Sequence, residues 1–348
     1  MASMAQAIRM ALHFSEKNLK LKDVFGQDAG PPLGGVFTAT QGLKTAWNTP
    51  LDERGIIGMA TGIALTGERC VAEIQFCDYI FNTIDLLKMV GNTYWATNGN
   101  YNLPMVVMTP VGAGIRGSLY HSHSFDAWAS RLPGWKIVIP STPKDAYGLM
   151  LSAIEDPNPV LFLKPKALLR VRGEELIPGE PDSDKKLKEM IDAPIGDRSK
   201  WKPKWPKVED YRVPIGKAKI VTKGDELTVV SYGRSLPMCT EAAKELGRSV
   251  EVIDLRSIYP YDWQCIKASI EKTGRVLFVN EDTEVTNFCE HLAYRCTQDL
   301  FYNLLARPKV LAGQNLPGIG LHANLEEASV PQKNHIKAAM EDVLSEIP

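Results

Sequence analysis

Two α/β domains, each built on a mainly parallel sheet, are what this sequence predicts, and three observations carry the expectation. Strand-sized apolar runs alternate with helix-spaced segments along most of the chain, the grammar of βαβ units whose sheets are covered by helices on both faces. The alternation breaks once, between about residues 172 and 213, into a stretch rich in Pro, Lys, Asp and Glu, and then resumes. A length of 348 residues itself suggests about two domains.

Taken in order, "MASMAQAIRMALHFSEKN" has an amphipathic pattern with one early Arg but no apolar signal core, so it reads as a first helix rather than a targeting peptide. Small residues at helical spacing make 55–65 a tightly packing helix, and "CVAEIQF" (70–76) a strand. Residues 82–99 are helical, 103–109 a buried strand, 135–140 another, 144–156 a helix with an acidic first turn, and 159–165 a strand again. The Pro- and charge-rich stretch 172–213 reads as an inter-domain linker with an insertion, docked onto a surface by Trp201 and Trp205. Beyond it, strands at 226–233, 249–255, 275–281 and 308–313 alternate with helices at 237–247, 262–274, 287–305 and 332–346. The expected division is therefore 1–171, 172–213 and 214–348.

Composition excludes several classes. A formal net charge of −1 gives no global electrostatic reason to bind nucleic acid or an anionic membrane. Runs such as "PMVVM" and "VLFVN" are far too short to span a bilayer. Six cysteines show neither a CxxC pair nor zinc spacing, and read as reduced buried thiols of a cytoplasmic protein.

The stretch "MTPVGAGIRGSLYHSHSFDAW" (108–128) poses the sharpest question. Gly112, Gly114 and Gly117 formally match the dinucleotide fingerprint, but Pro110 intervenes, "SLYHSHSF" is a poor helix start, and the next strand ends in Pro140 and Ser141 instead of an acid. His121 and His123 have the spacing of a metal pair in extended chain, with no evident third ligand beyond Asp126. Two surface or capping histidines is the plain alternative. Elsewhere Glu53 stands at a turn before the 55–65 helix, where a lone carboxylate ordinarily serves as a cap or dipole partner. Gln75 and Tyr79 stand at the C-terminal end of a strand, the edge where open α/β sheets bind ligands.

Read together, "FGQDAGPPLGGVF", "NTPLDERGIIG", "AEIQFCDYIF", "GSLYHSHS", "PGWKIVIPSTP", "AIEDPNPVLFLKP" and "VEVIDLRSIYP" resemble, in order, the beta subunit of the thiamine-diphosphate-dependent component of 2-oxoacid dehydrogenase complexes. The resemblance covers nearly the whole chain and is weakest in the linker and the last thirty or so residues. It implies two three-layer α/β domains, a transketolase-like pyrimidine-binding domain followed by a transketolase C-terminal-like domain. It also implies oxidative decarboxylation of a 2-oxo acid with reductive acylation of a lipoyl group.

By the same resemblance Glu53 pairs with the aminopyrimidine ring, and Leu51, Gln75 and Tyr79 line the pocket around it. His121 then acts in acyl transfer to the lipoyl arm, a task for which imidazole is the commonest general acid–base side chain. The glycines at 112, 114 and 117 supply loop freedom beside that channel. Ala153, Asp156 and Asn158 match the place of a structural monovalent cation, K⁺.

No Gly-Asp-Gly diphosphate motif occurs; "KGDE" at 223–226 lacks the second glycine. The resemblance therefore assigns the diphosphate and its Mg²⁺ to an alpha subunit, within an α₂β₂ heterotetramer that includes a beta–beta contact. The implied further partners are a lipoyl domain and the dihydrolipoyl acyltransferase core. Arg54, Met108 and His123 depart from the family pattern around the pocket. The "AEIQFCDYIF" segment points to branched-chain acids, with pyruvate or acetoin as alternatives. A catalytically silent beta-like scaffold and an autonomous transketolase-like enzyme are the competing classes.

Overall fold

Strands that are apolar along their whole length can be buried only between two helix layers, and both sheets follow that rule. The computed structural model describes residues 1–198 and 200–347 and divides into two units. The first unit holds residues 1–110, 132–164 and 168–215; the second holds 111–131, 165–167 and 216 onward.

The first unit's sheet contains β1 (Leu21–Gly26), β2 (Ala46–Asn48), β3 (Arg69–Glu73), β4 (Met105–Val111), β5 (Lys136–Val138) and β6 (Val160–Pro165), in the order β5-β6-β4-β3-β1-β2. The β1–β2, β1–β3, β3–β4 and β5–β6 ladders are parallel. Helix α1 (Met4–Asn18) packs with α6 (Pro143–Glu155) in one layer; α2 (Glu53–Leu65) packs with α4 (Ile84–Ala96) in the other. Between α2 and α4 runs the short α3 (Cys77–Ile80), and α5 (Asp126–Ser130) precedes α6 in the chain. The first helix is a core element: Ser3 and Gln6 form a capping box at its start, and Met4 through Leu12 are buried without a gap.

Residues 172–215 do not run free. They contain α7 (Asp184–Ile191), capped by Ser183, and they lie along α1 and α6. Trp205 stacks on His13 at 4.0 Å, the Tyr147 hydroxyl donates to Glu209 O at 2.8 Å, and the Ser152 hydroxyl donates to Val213 O at 2.8 Å.

The second unit carries β7 (Lys219–Thr222), β8 (Leu227–Ser231), β9 (Val250–Asp254), β10 (Ser257–Tyr259), β11 (Val276–Thr283) and β12 (Lys309–Gly313). Its five-stranded sheet has the order β12-β11-β8-β9-β7, parallel except for the edge strand β7, which runs antiparallel to β9. Helix α8 (Ser235–Leu246) packs with α12 (Lys333–Ser345) over this sheet, where Val229, Val252, Leu277 and Val279 meet Leu236, Ile336 and Met340. The remaining helices are α9 (Trp263–Thr273), α10 (Phe288–Leu300) and α11 (Ala323–Ser329). No described helix is long and apolar enough to cross a membrane, and no cysteine forms a disulfide.

Candidate active site

Glu53 is the first residue of α2. Asp52, the N-cap, accepts from the Gly55 N–H at 3.0 Å, which fixes the direction in which the helix starts and so the place of the Glu53 side chain. The Glu53 carboxylate is half-buried and accepts from the Asn82 side-chain amide at 3.3 Å. Tyr79 lies on α3 and not on the strand, because β3 ends at Glu73. Its phenol is pushed up, first by burial and then by the negative charges of Asp78 and Glu53, so the two side chains share one local field. The Tyr79 ring meets Phe76 edge-on at 5.8 Å.

Gln75 follows the end of β3 and donates to Asp28 Oδ2 at 2.9 Å and to Gln27 O at 3.4 Å. Leu51 is 71% exposed, an apolar side chain standing in the open beside the head of α2. The structure thus brings Glu53, Tyr79 and Asn82 together, holds Gln75 against Asp28, and leaves Leu51 on the rim. Asn82 and Asp28 carry no signal of their own in the sequence.

Behind this edge lies an ion pair that sequence reading missed. Glu73 and Lys164, at the C-terminal ends of β3 and β6, are paired with 2% and 0% side-chain exposure. Gly35, at φ +80°, passes so close that a β-carbon there would lie 2.9 Å from Glu73 Oε2. Of the departures from the family pattern, Arg54 makes a two-pronged bond to Asp85 at 2.6 and 2.8 Å, tying the start of α2 to the start of α4. Met108 is fully buried in the core with Val71 and Val106.

The glycine loop of the second unit is closely packed, and its glycines answer to that packing and to positive φ. Gly112 and Gly114 have φ of +80° and +112°. A β-carbon on Gly112 would fall 2.0 Å from Glu281 Oε1, one on Gly114 2.6 Å from the Ala167 β-carbon, and one on Gly117 2.5 Å from the His121 β-carbon. Carboxylates pin the same loop: Ala113 N–H donates to Glu281 at 2.9 Å, while Gly114 and Arg116 N–H both donate to Glu326 Oε2, at 3.1 and 2.8 Å. The loop then passes into a single 3₁₀ turn, Ser118–Tyr120, with no helix N-terminus to receive a pyrophosphate. His121 leaves that turn half-buried, and the His123 carbonyl accepts from Gly112 N–H at 2.8 Å.

Beneath the loop, Asp126, Glu281 and Asp282 form a buried acidic cluster. Burial is the first cause raising all three carboxyls, Asp126 furthest, with the neighbouring acids adding to it for Asp126 and Glu281. The Tyr232 hydroxyl donates to Asp126 Oδ2 at 2.9 Å, and Ala127 N–H donates to Asp282 at 3.1 Å. The nearby charge of His123 works in the opposite sense on Asp282.

Asp156 ends α6, pairs with Lys136 and accepts from Asn158 N–H at 3.0 Å. Ala153 is buried in the helix above, and Asn158 Oδ1 is buried without a hydrogen-bond partner. No cluster of three or more His, Cys, Asp or Glu suited to a metal occurs among the described residues. "KGDE" is the turn joining β7 to β8; a β-carbon on Gly224 would lie 2.3 Å from the Val250 carbonyl carbon.

Residues 1–172 match the family model "Transketolase, pyrimidine binding domain", and 216–336 match "Transketolase, C-terminal domain". The chain is 34% identical over 351 residues to the 2-oxoisovalerate dehydrogenase subunit beta of Bacillus subtilis, with 98% of each chain covered. It belongs to the beta-subunit family of 2-oxoacid dehydrogenases. A Pseudomonas aeruginosa relative of the same description is 36% identical, covering 90% of this chain and 88% of its own. The pyruvate dehydrogenase E1 component subunit beta of Acholeplasma laidlawii is 35% identical, covering 88% and 86%. A solved structure described as "Split gene transketolase, inactive beta4 tetramer" superposes with a TM-score of 0.71 at 18% identity and full coverage of both chains, a likeness of fold. Membership places the chain among oxidoreductases that act on 2-oxo acids.

Proposed function

We propose that this chain supplies the pyrimidine half of a thiamine-diphosphate site and works only beside an alpha subunit, in an α₂β₂ assembly with a beta–beta contact. The observation that carries the reading is the head of α2: a half-buried carboxylate, Glu53, beside Tyr79 and Asn82, with Leu51 exposed at the rim. Such a set fits one side of a heteroaromatic ring, an acid for a ring nitrogen and apolar surface for its face. The sequence carries no Gly-Asp-Gly diphosphate motif, and the partner subunit is proposed to hold that group with Mg²⁺. When bound, the coenzyme supplies the electron sink for decarboxylation.

Glu53 then holds a proton between its carboxylate and the ring edge, while Leu51 and Tyr79 pack on the ring. With its amide nitrogen committed to Asp28, Gln75 presents Oε1 as its remaining polar atom. His121, fixed by the pinned glycine loop, serves as proton donor during acyl transfer to a lipoyl domain carried on an acyltransferase core. At the α6–β6 turn, Lys136 already neutralises Asp156, so a K⁺ ion would rest on carbonyl oxygens near Ala153 and Asp156 and on Asn158 Oδ1.

Residues 1–171, 172–213 and 214–348 are assigned as pyrimidine-binding domain, insertion and C-terminal domain. The six thiols suit a reducing cytoplasm. The substrate proposed is a branched-chain 2-oxo acid, in line with the names of the Bacillus and Pseudomonas relatives; the Acholeplasma relative makes pyruvate the second reading. Glu53→Gln in the co-purified complex tests the central role. Turnover of 2-oxoisovalerate should fall at least about a hundredfold with assembly intact, and near-normal turnover would remove Glu53 from the chemistry. Pyruvate assayed alongside decides the substrate.

A further inference from the structure

The distal part of the insertion and residues 31–44, both in the first unit, line a cavity of about 1160 Å³ that shares no lining residue with the head of α2. Ordinary small-molecule pockets span roughly 300–1,000 Å³, so this one accommodates a ligand of nucleotide size. Trp201 and Trp205 line it, and Lys17, Lys44, Arg198 and Lys202 set four cations against one lining carboxylate, Asp197. The walls are held in place: Arg198 donates to Pro32 O at 3.2 Å across the cavity, and Trp201 packs on Gly42, where a β-carbon would lie 3.0 Å from the indole.

His13 braces the same wall. It lines the cavity, is 6% exposed and stacks on Trp205 with an interplanar angle of 9°. Its Nδ1 is bonded to Glu16 at 3.1 Å, but its Nε2 is buried with no hydrogen-bond partner.

We propose that this cavity binds a nucleoside polyphosphate, its base on the Trp201–Trp205 side and its phosphates among the lysines. Indoles stack on any flat base, and ammonium groups take phosphate as point charges, so the two halves of the lining match the two halves of such a ligand. The proposal does not depend on the reading of Glu53, which is not among the lining residues.

The test uses the chain co-purified with its alpha subunit, with thiamine diphosphate and Mg²⁺ saturating so that the coenzyme site is filled. Fluorescent mant-ATP is titrated in, then displaced with ATP, AMP and inorganic triphosphate. Saturable binding is expected, with ATP the best competitor and both AMP and triphosphate markedly weaker. The double variant Lys44→Ala/Lys202→Ala should weaken mant-ATP about tenfold or more, as should Trp201→Ala, while Trp201→Phe retains binding. Turnover measured without nucleotide should be unchanged in each variant, which shows that the fold survives. Absence of saturable binding overturns the proposal, as does binding that the variants leave within about twofold. Displacement by triphosphate as effective as by ATP also overturns it, since that marks a bare anion site.

Discussion

Replacing Lys164 with methionine isolates the buried pair behind the candidate site. Glu73 and Lys164 are 2% and 0% exposed, and Glu73 Oε2 has no hydrogen-bond partner, so nothing but the ammonium compensates the carboxylate. Removing one partner of such a pair costs about 3–5 kcal/mol, because the remaining charge is left buried and unpaired. With an m-value of about 2–3 kcal/mol/M in urea for a unit of this size, the midpoint should fall by about 1–2 M. Tryptophan fluorescence reports mainly on the right unit, since Trp47, Trp95, Trp135, Trp201 and Trp205 lie in the first and only Trp128 and Trp263 in the second. Glu73→Gln combined with Lys164→Met removes both charges and should recover at least about half of the loss. A loss below about 1 kcal/mol for Lys164→Met, or a double variant as unstable as the sum of the singles, would refute the reasoning.

Two further perturbations address the second unit. Asp126 is a carboxyl whose folded pKa is raised, so its contribution to stability is full below the unfolded value of about 4 and is lost as pH rises through the folded one. Asp126→Asn keeps an acceptor for the Tyr232 hydroxyl and should be about 1–3 kcal/mol more stable than the parent at pH 7, the gap closing towards pH 4. Chemical denaturation across that range checks it, and a parent more stable at pH 7 would contradict it. Glu326→Ala removes the acceptor of two loop N–H groups, at Gly114 and Arg116. Lipoyl acylation should fall about tenfold while decarboxylation with an artificial oxidant changes little, and Glu326→Gln should restore part of it. Equal loss in both assays would show that Glu326 does not act through the His121 loop.

The long elements were legible because each is set by a local pattern. Helix α6 starts where Thr142 caps and Pro143 takes the first turn, close to the expected 144–156, and the continuous apolar runs of β4, β6, β8 and β11 mark buried parallel strands. Elements missed lack such a pattern. Strand β1 is next to the edge and paired on both sides, yet Lys22 and Asp23 interrupt its apolar run; Asp23 accepts from the Trp47 indole at 2.9 Å. Strand β7 is an edge with Ile220 and Val221 exposed, and α7 hides in the charged insertion.

The site divides in the same way. Glu53 and His121 carry no local signal of function and were found through the resemblance of whole motifs. Their supports are long-range: Glu281 reaches Ala113 across 168 positions and Glu326 reaches Gly114 across 212, so no window of sequence contains both partners. The glycine spacing alone is ambiguous for a physical reason. Glycines required by close packing against neighbouring residues look the same in sequence as glycines that cradle phosphate.

The most direct measurement is calorimetric titration of thiamine diphosphate with Mg²⁺ into this chain alone, its alpha subunit alone, and the two together. The account predicts tight binding and 2-oxo acid turnover only in the mixture, with Glu53→Gln sparing assembly and abolishing turnover. Tight binding and turnover by this chain alone would contradict it.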